Sequence, residues 1–159
     1  MALIKKNWIQ LVIWILIVEG IGFILGILTQ DHIHAWYDGL NKSDLTPPPV
    51  VFSIVWPILY ALLAMTGWSL WQQGNKPAVR TTLYFFMSQL LMNWAWTPLF
   101  FQLHWIGFSF LWIGILTCLT IITLYLMKKN NNHLFFLLIP YFVWLLFATY
   151  LNCTIWLLN

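Results

Sequence analysis

The sequence predicts an all-α membrane protein, a single domain over residues 1–159 folded as a five-transmembrane-helix bundle. Three observations carry that expectation. Of 159 residues, 62% are hydrophobic and 7% charged, whereas a soluble domain carries about 25% Asp, Glu, Lys and Arg because its surface faces water. The few charges leave long apolar runs between them: 31 residues from Leu45 to Asn75, 47 from Thr81 to Met127 and 30 from Asn130 to Asn159, with His counted neutral. These runs are apolar on all sides, where a membrane barrel would alternate polarity over segments of about ten residues. In lipid that leaves helices, which satisfy their own backbone hydrogen bonds.

The first helix is expected at 7–29, entered after Lys5 and Lys6. It resembles a signal peptide only superficially, because Glu19 interrupts the apolar run and no A-x-A-like site ends it. Glu19 is the one formal charge inside a predicted span, and an ionised carboxylate at a helix centre costs about 2.5–3.5 kcal/mol on insertion scales. It is either the coupling group of a proton-driven exporter or an interhelical hydrogen-bond donor. Gly22-x-x-x-Gly26 reads as a close-packing signature.

The long first loop, 30–47, holds Asp31, Asp38, Asp44, two histidines, Trp36 and Tyr37, and runs into Pro47-Pro48-Pro49. Three prolines favour stiff polyproline geometry. The segment is either an ordinary turn with proline at the first helical position, or a lid whose Trp36 and Tyr37 fold over the outer mouth of the bundle. The second helix, 48–73, begins with Trp56 and Tyr60 four residues apart.

The 47-residue run is too long for one span, since as a single helix it would reach about 70 Å against a hydrocarbon core of about 30 Å. It breaks around Pro98 to His104, giving helices at 79–101 and 105–127. The third helix carries Gln89, Asn93 and Thr97 on one face. The fifth, 134–157, carries Trp144, Ala148, Asn152 and Trp156 at the same spacing. These stripes are either interhelical glue, at about 0.6–2 kcal/mol per amide hydrogen bond, or the walls of an amphipathic pocket for a planar, mostly apolar ligand.

An odd number of spans puts the termini on opposite faces. Lys5, Lys6, Lys76, Arg80, Lys128 and Lys129 then share one side against Lys42 on the other, so the N-terminus is expected in the cytoplasm and the C-terminus outside, in a bacterial-type plasma membrane. The net charge of +3 reflects this topology and not nucleic-acid binding. Cys118 and Cys153 read as reduced packing residues, and no metal site is expected, because no second Cys or His lies at ligand spacing.

The twelve tryptophans divide by depth. Trp8, Trp36, Trp71, Trp105 and Trp156 lie near predicted helix ends, as an interfacial belt would have them. Trp14, Trp68 and Trp112 lie deeper, while Trp56, Trp94, Trp96 and Trp144 sit with the polar stripes near the proline-rich segment.

Several blocks resemble one known family: Trp36-Tyr37, Pro47-Pro48-Pro49, Val55-Trp56 to Leu59-Tyr60, Asn93-Trp94-Ala95-Trp96-Thr97-Pro98-Leu99-Phe100-Phe101, and Pro140-Tyr141 through Trp144, Ala148 and Asn152 to Trp156. Together they are similar to the tryptophan-rich sensory protein family, also called TspO or translocator protein, formerly the peripheral benzodiazepine receptor. The resemblance implies a five-helix, often homodimeric membrane protein that binds tetrapyrroles such as protoporphyrin IX and, in some members, cholesterol and synthetic benzodiazepine-site ligands. Carried over by position, it implies ligand contacts at Tyr37, Pro47, Trp56, Asn93, Trp96, Trp144, Ala148 and Asn152; the polar stripes add Tyr60 and Gln89. Departures are Val50, where an aromatic residue often follows the prolines, and Trp112, where an acidic residue is common. Cys153, Leu157 and Leu158 stand in place of the Tyr and basic residue of the cholesterol pattern, which counts against sterol transport.

The expected function is therefore tetrapyrrole binding, with no obligatory cofactor and the porphyrin as ligand or substrate. The protein would act as a sensor, a carrier or a light-dependent porphyrin-degrading protein in which Trp56 and Trp144 are the candidate catalytic groups. A proton-coupled small-molecule exporter using Glu19 is the alternative. No acid–base pair points to conventional catalysis.

Overall fold

The computed structural model describes residues 2–74, 76–130 and 132–159, without the side chains of residues 2–7 and 31–35. Lys5, Lys6 and Asp31 thus fall outside the described side chains. The chain forms α1 (Ala2–Ala35), α2 (Pro49–Gln72), α3 (Pro77–Phe101), α4 (Ile106–Lys129) and α5 (Ile139–Leu158), with short 3-10 helices at Tyr37–Gly39 and His133–Leu138.

The count of membrane-crossing helices is corrected. Among the described residues four segments are long and apolar enough to cross a membrane: Trp8–Gln30, Pro49–Gln72, Ile106–Lys129 and His133–Leu158. At 25 residues, α3 is long enough but not among them. Its sequence carries Arg80, Thr81, Thr82, Ser88, Gln89, Asn93 and Thr97, so its polarity and not its length sets it apart. With four qualifying spans, an odd count no longer places the termini on opposite faces. The molecule is a multi-pass integral membrane protein of the all-α class.

Two boundaries differ from the sequence expectation for identifiable reasons. α1 continues past Gln30 to Ala35, because polar residues that leave the hydrocarbon are still free to remain helical. The fifth segment opens as a 3-10 helix, with the Asn132 side chain accepting from the Leu134 N–H at 3.0 Å. Pro140 lacks an N–H and its ring clashes with the carbonyl four residues back, so the α-helical ladder starts only at Ile139.

The break in the long apolar run falls where the sequence placed it. α3 ends at Phe101, and the chain reverses through His104 at φ 55°, with the Gln102 and Leu103 N–H groups both reaching the Pro98 carbonyl. Helices close a ring in the order α1, α2, α5, α4, α3, and α2 also touches α3 across it. Phe86, Leu63, Leu116, Tyr141 and Leu145 fill the centre.

Only half of the predicted close-packing pair is used. A Cβ at Gly22 would collide with the Tyr60 ring of α2, while one at Gly26 would meet nothing within 4 Å. On α2 the glycine that is closely packed is Gly67, where a Cβ would lie 2.5 Å from the Trp14 ring of α1. Cys118 is exposed and so is not a packing residue, whereas Cys153 is half-buried; both are free thiols.

Candidate functional site

The end of the bundle away from the α2–α3 connection is built around the C-terminal half of α3. Asn93, Trp96 and Phe100 fall at three- and four-residue steps and therefore on one face. Trp96 stacks on Phe100 with ring centroids 5.0 Å apart, and Phe101 stands edge-on to both. From the opposite side the first loop descends on the same ring. Trp36 meets Phe100 at 5.4 Å and stacks on His104 at 4.0 Å, and Tyr37 meets Phe100 and Phe101 at 6.1 and 5.5 Å. Phe100 is 1% exposed and forms the hub of this cluster.

The loop supplies a proline entry turn and lays two rings on α3. Pro49 occupies the first turn of α2 after an extended Pro48, and Trp36 and Tyr37 cover the end of α3. Lys42 fastens it from within: its Nζ donates to the Tyr37 and Asp38 carbonyls at 2.8 and 3.2 Å and lies 4.5 Å from the Tyr37 ring centroid. Burial and the neighbouring Asp38 charge raise the Tyr37 phenol above its ordinary pKa, so it stays a neutral donor. The far side is tied to α5 by reciprocal amides. The Asn41 N–H donates to Asn159 Oδ1 at 3.0 Å, and Asn159 Nδ2 returns a bond of 3.0 Å to the Asn41 carbonyl. Ser43 and the Tyr150 hydroxyl add a contact of 2.9 Å.

α2 and α5 bring the remaining side chains. Trp56 and Tyr60 face each other at 5.3 Å, and the Tyr60 hydroxyl donates to Asn93 Oδ1 at 3.1 Å. The Tyr141 hydroxyl approaches the same amide without closing a hydrogen bond of good geometry. Trp144 lies edge-on to Phe52 and Phe147, both at 5.7 Å, and Ala148 packs beside it on the core. Asn152 is 2% exposed. Its two amide atoms and the indole nitrogens of Trp94, Trp96 and Trp144 are buried with no hydrogen-bond partner among the described residues. Leaving such a group unmade costs about 1–3 kcal/mol, and the same holds at Trp68, Gln89 Nε2, Ser109 and Tyr141, so Asn152 and these three tryptophans of α3 and α5 are among several residues with unused hydrogen-bonding capacity.

Of the ten sequence-selected positions, Tyr60 and Asn93 are joined directly, Trp56 stacks beside them, and Trp96 and Tyr37 join through Phe100. Trp144 and Ala148 form a second group on α5. Pro47 is half-buried in the loop. Gln89 belongs elsewhere: it accepts from Thr120 Oγ1 of α4 at 3.3 Å and is 0% exposed, which makes it part of the α3–α4 contact.

Four tryptophans keep the interfacial exposure expected of them, namely Trp8, Trp71, Trp105 and Trp156, although Trp156 also stacks on Phe110 and seats against Gly107. Trp36 leaves that group for the lid. Trp112 donates to the Met92 carbonyl at 2.8 Å and ties α4 to α3. Sequence reasoning missed Phe100, Tyr141 and the buried α4 threonines. Extending the Asn93 stripe by seven residues finds Phe100, and stepping back three from Trp144 finds Tyr141. The regular Thr117-x-x-Thr120-x-x-Thr123 spacing marks the third set.

Two surface grooves, one lined by Gln73, Lys76 and Asn130 and one by Ile121, Lys128 and Phe142, lie at the other end of the bundle and include none of the ten positions. The aromatic cluster is packed ring against ring.

Comparison with known proteins gives a consistent answer over almost the whole chain. The family model described as TspO/MBR family matches residues 14–157. The tryptophan-rich protein TspO of Archaeoglobus fulgidus is 36% identical over 158 residues, covering 96% of this chain and 99% of its own. The translocator protein of Homo sapiens is 31% identical over 126 residues, 76% of this chain and 73% of its own. Tryptophan-rich protein TspO of Bacillus cereus is 32% identical over 127 residues, 78% of this chain and 80% of its own.

Proposed function

The chain belongs to the TspO/MBR family, and from that membership we propose that it binds a tetrapyrrole of the protoporphyrin IX type at the outer end of the bundle, beneath the first loop. The observation that carries this reading is that the helices presenting flat aromatic rings also carry buried hydrogen-bonding groups left unpaired among the described residues: the Trp96 indole on α3, and the Trp144 indole and Asn152 amide on α5. A porphyrin offers the complement of both, a large planar face for stacking and propionate oxygens to accept hydrogen bonds. Trp56 and Trp144 are the stacking walls in this reading. Asn93, Asn152 and the neutral Tyr37 hydroxyl meet the polar edge, Ala148 leaves room beside Trp144, and Pro47 stiffens the rim.

Binding requires Trp36, Tyr37 and Phe100 to move apart, and the first loop is the element able to do so. It is held chiefly by rings and by a few polar contacts at its ends. Trp144 is also the group we assign to light-dependent chemistry: its indole gives one electron to the excited porphyrin, the reduced porphyrin passes that electron to dioxygen, and the reduced oxygen species formed oxidises the macrocycle. The same arrangement without that step serves a carrier or sensor. The end that holds Lys76, Arg80, Lys128 and Lys129 faces the cytoplasm by the positive-inside bias.

The test is a titration of the purified protein with protoporphyrin IX in the dark, followed by illumination and absorption spectroscopy. Saturable binding is expected, weakened at least tenfold in Asn152→Leu, a loss of about 1.4 kcal/mol that matches one unpaired polar group. Trp144→Phe should bind nearly as well but lose the pigment more slowly in light. Absence of saturable binding sinks the reading, and unchanged photochemical loss in Trp144→Phe removes the electron-donor role.

A further inference from the structure

At the end of the bundle away from the aromatic cluster, the C-terminal half of α4 and the start of the fifth segment leave an open groove of about 410 Å³. One wall is Ile121, Tyr125 and Lys128, successive residues on one face of α4, and the other is Phe135, Ile139 and Phe142. We propose that this groove is a specific site for an anionic phospholipid, taking part of one acyl chain along its apolar floor and the phosphate at Lys128.

Three observations converge on that occupant. The groove lies within the membrane-crossing segments Ile106–Lys129 and His133–Leu158 and opens at the end of the first of them. From Lys128 inward to Ile121 it descends about 10 Å at about 1.5 Å per residue, so it begins at the headgroup level and runs into hydrocarbon. Its mouth is cationic without compensation. Lys128 lines it, and Lys129 lies 6.0 Å from the Tyr125 ring centroid. Lys76 and Arg80, at the start of α3, are drawn to the same end, because Asn130 Nδ2 donates to the Ala78 carbonyl and to Thr82 Oγ1 at 3.2 and 3.0 Å. All four acidic residues of the chain lie elsewhere in the sequence, Glu19 and Asp31 within α1 and Asp38 and Asp44 between its end and α2. A neutral or zwitterionic lipid would fill the apolar floor equally well but would leave this charge unanswered.

Native mass spectrometry of the full chain in detergent, with phosphatidylglycerol or phosphatidylcholine added at equal concentration, tests the site. The first phosphatidylglycerol is expected to bind about fivefold more tightly, the worth of one lysine near an anionic surface. Lys128→Gln should remove that preference without changing phosphatidylcholine binding, and Ile121→Trp, which fills the floor, should weaken both lipids. Both side chains are exposed, and an unchanged melting temperature certifies that the variants are folded. Equal binding of the two lipids, or a preference that survives Lys128→Gln, overturns the proposal. Competition by glycerol phosphate as effective as by the whole lipid reassigns the site to a free phosphate. A change of oligomeric state in Ile121→Trp with lipid binding intact reassigns the groove to a second copy of the chain.

Discussion

Replacing Gly22 with alanine should damage the protein far more than replacing Gly26, although both are glycines four residues apart in the same helix. A Cβ at Gly22 falls inside the contact distance of the Tyr60 ring, 2.6 Å from Cδ2, while one at Gly26 meets nothing within 4 Å. Tyr60 has little freedom to yield, being 7% exposed and hydrogen-bonded to Asn93 Oδ1 at 3.1 Å. Overpacking costs about 1–3 kcal/mol, and losing the interhelical hydrogen bond adds about 0.6–1.7 kcal/mol. The helical preference of alanine over glycine returns about 0.8–1.0 kcal/mol. The net expectation is a loss of about 2 kcal/mol for Gly22→Ala and a small gain for Gly26→Ala. Unfolding in mixed micelles with rising SDS fraction, followed by tryptophan fluorescence, measures both. Combining Gly22→Ala with Tyr60→Phe adds the decisive comparison: the ring clash stays but the hydrogen bond is already gone, so the two losses should fall short of additive by about 0.6–1.7 kcal/mol. Equal effects at the two glycines, or strict additivity, would refute the contact as the source.

Three further outcomes follow from the same geometry. Asn159→Ala removes both amide bonds to Asn41, about 1–2 kcal/mol of loop restraint, so amide exchange across residues 36–48 should accelerate about 5–30-fold while the core of α4 is unchanged. Thr120→Val leaves the Gln89 amide, 0% exposed, with neither end bonded. It should cost about 1–3 kcal/mol, and adding Gln89→Leu should recover most of it. Tyr37 has a phenol raised from 10.0 by burial and by Asp38, so the folded state holds its proton when the unfolded chain has released it. Its contribution is therefore complete below about pH 10 and declines as the pH rises further, and Tyr37→Phe should abolish that part of the alkaline decline in a melting-temperature series.

Much of the site was legible because it repeats at helical spacing. Trp56 with Tyr60, and Trp144 with Ala148 and Asn152, announce faces by their intervals alone, and the Pro98 to His104 break is dictated by the length of an apolar run. Periodicity does not say which neighbour a face meets. Gln89 shares a stripe with Asn93, yet four residues turn a helix about 40° past a full circle, and its side chain is claimed by Thr120 of α4 while Asn93 is claimed by Tyr60 of α2. Gly22 and Gly26 look equivalent for the same reason, and only the position of α2 separates them. Trp36 reads as an interfacial anchor by its place near a helix end, but the loop carries it back onto Phe100 and His104.

Transfer free energy is a property of each residue and adds along the chain, so the sequence by itself determined the solvent, the helical class, the points of reversal and the separation of charge between the two ends. It overstated one thing, the number of membrane-crossing helices, because charge-free is not the same as apolar: α3 lacks formal charges beyond Arg80 but carries a row of amides and hydroxyls. Which of those groups find partners depends on contacts between residues tens of positions apart, 33 for Tyr60 and Asn93 and 118 for Asn41 and Asn159. Only the tertiary structure decided that, since a hydrogen bond requires two atoms within about 3 Å and no one-dimensional pattern fixes the separation of side chains on different helices.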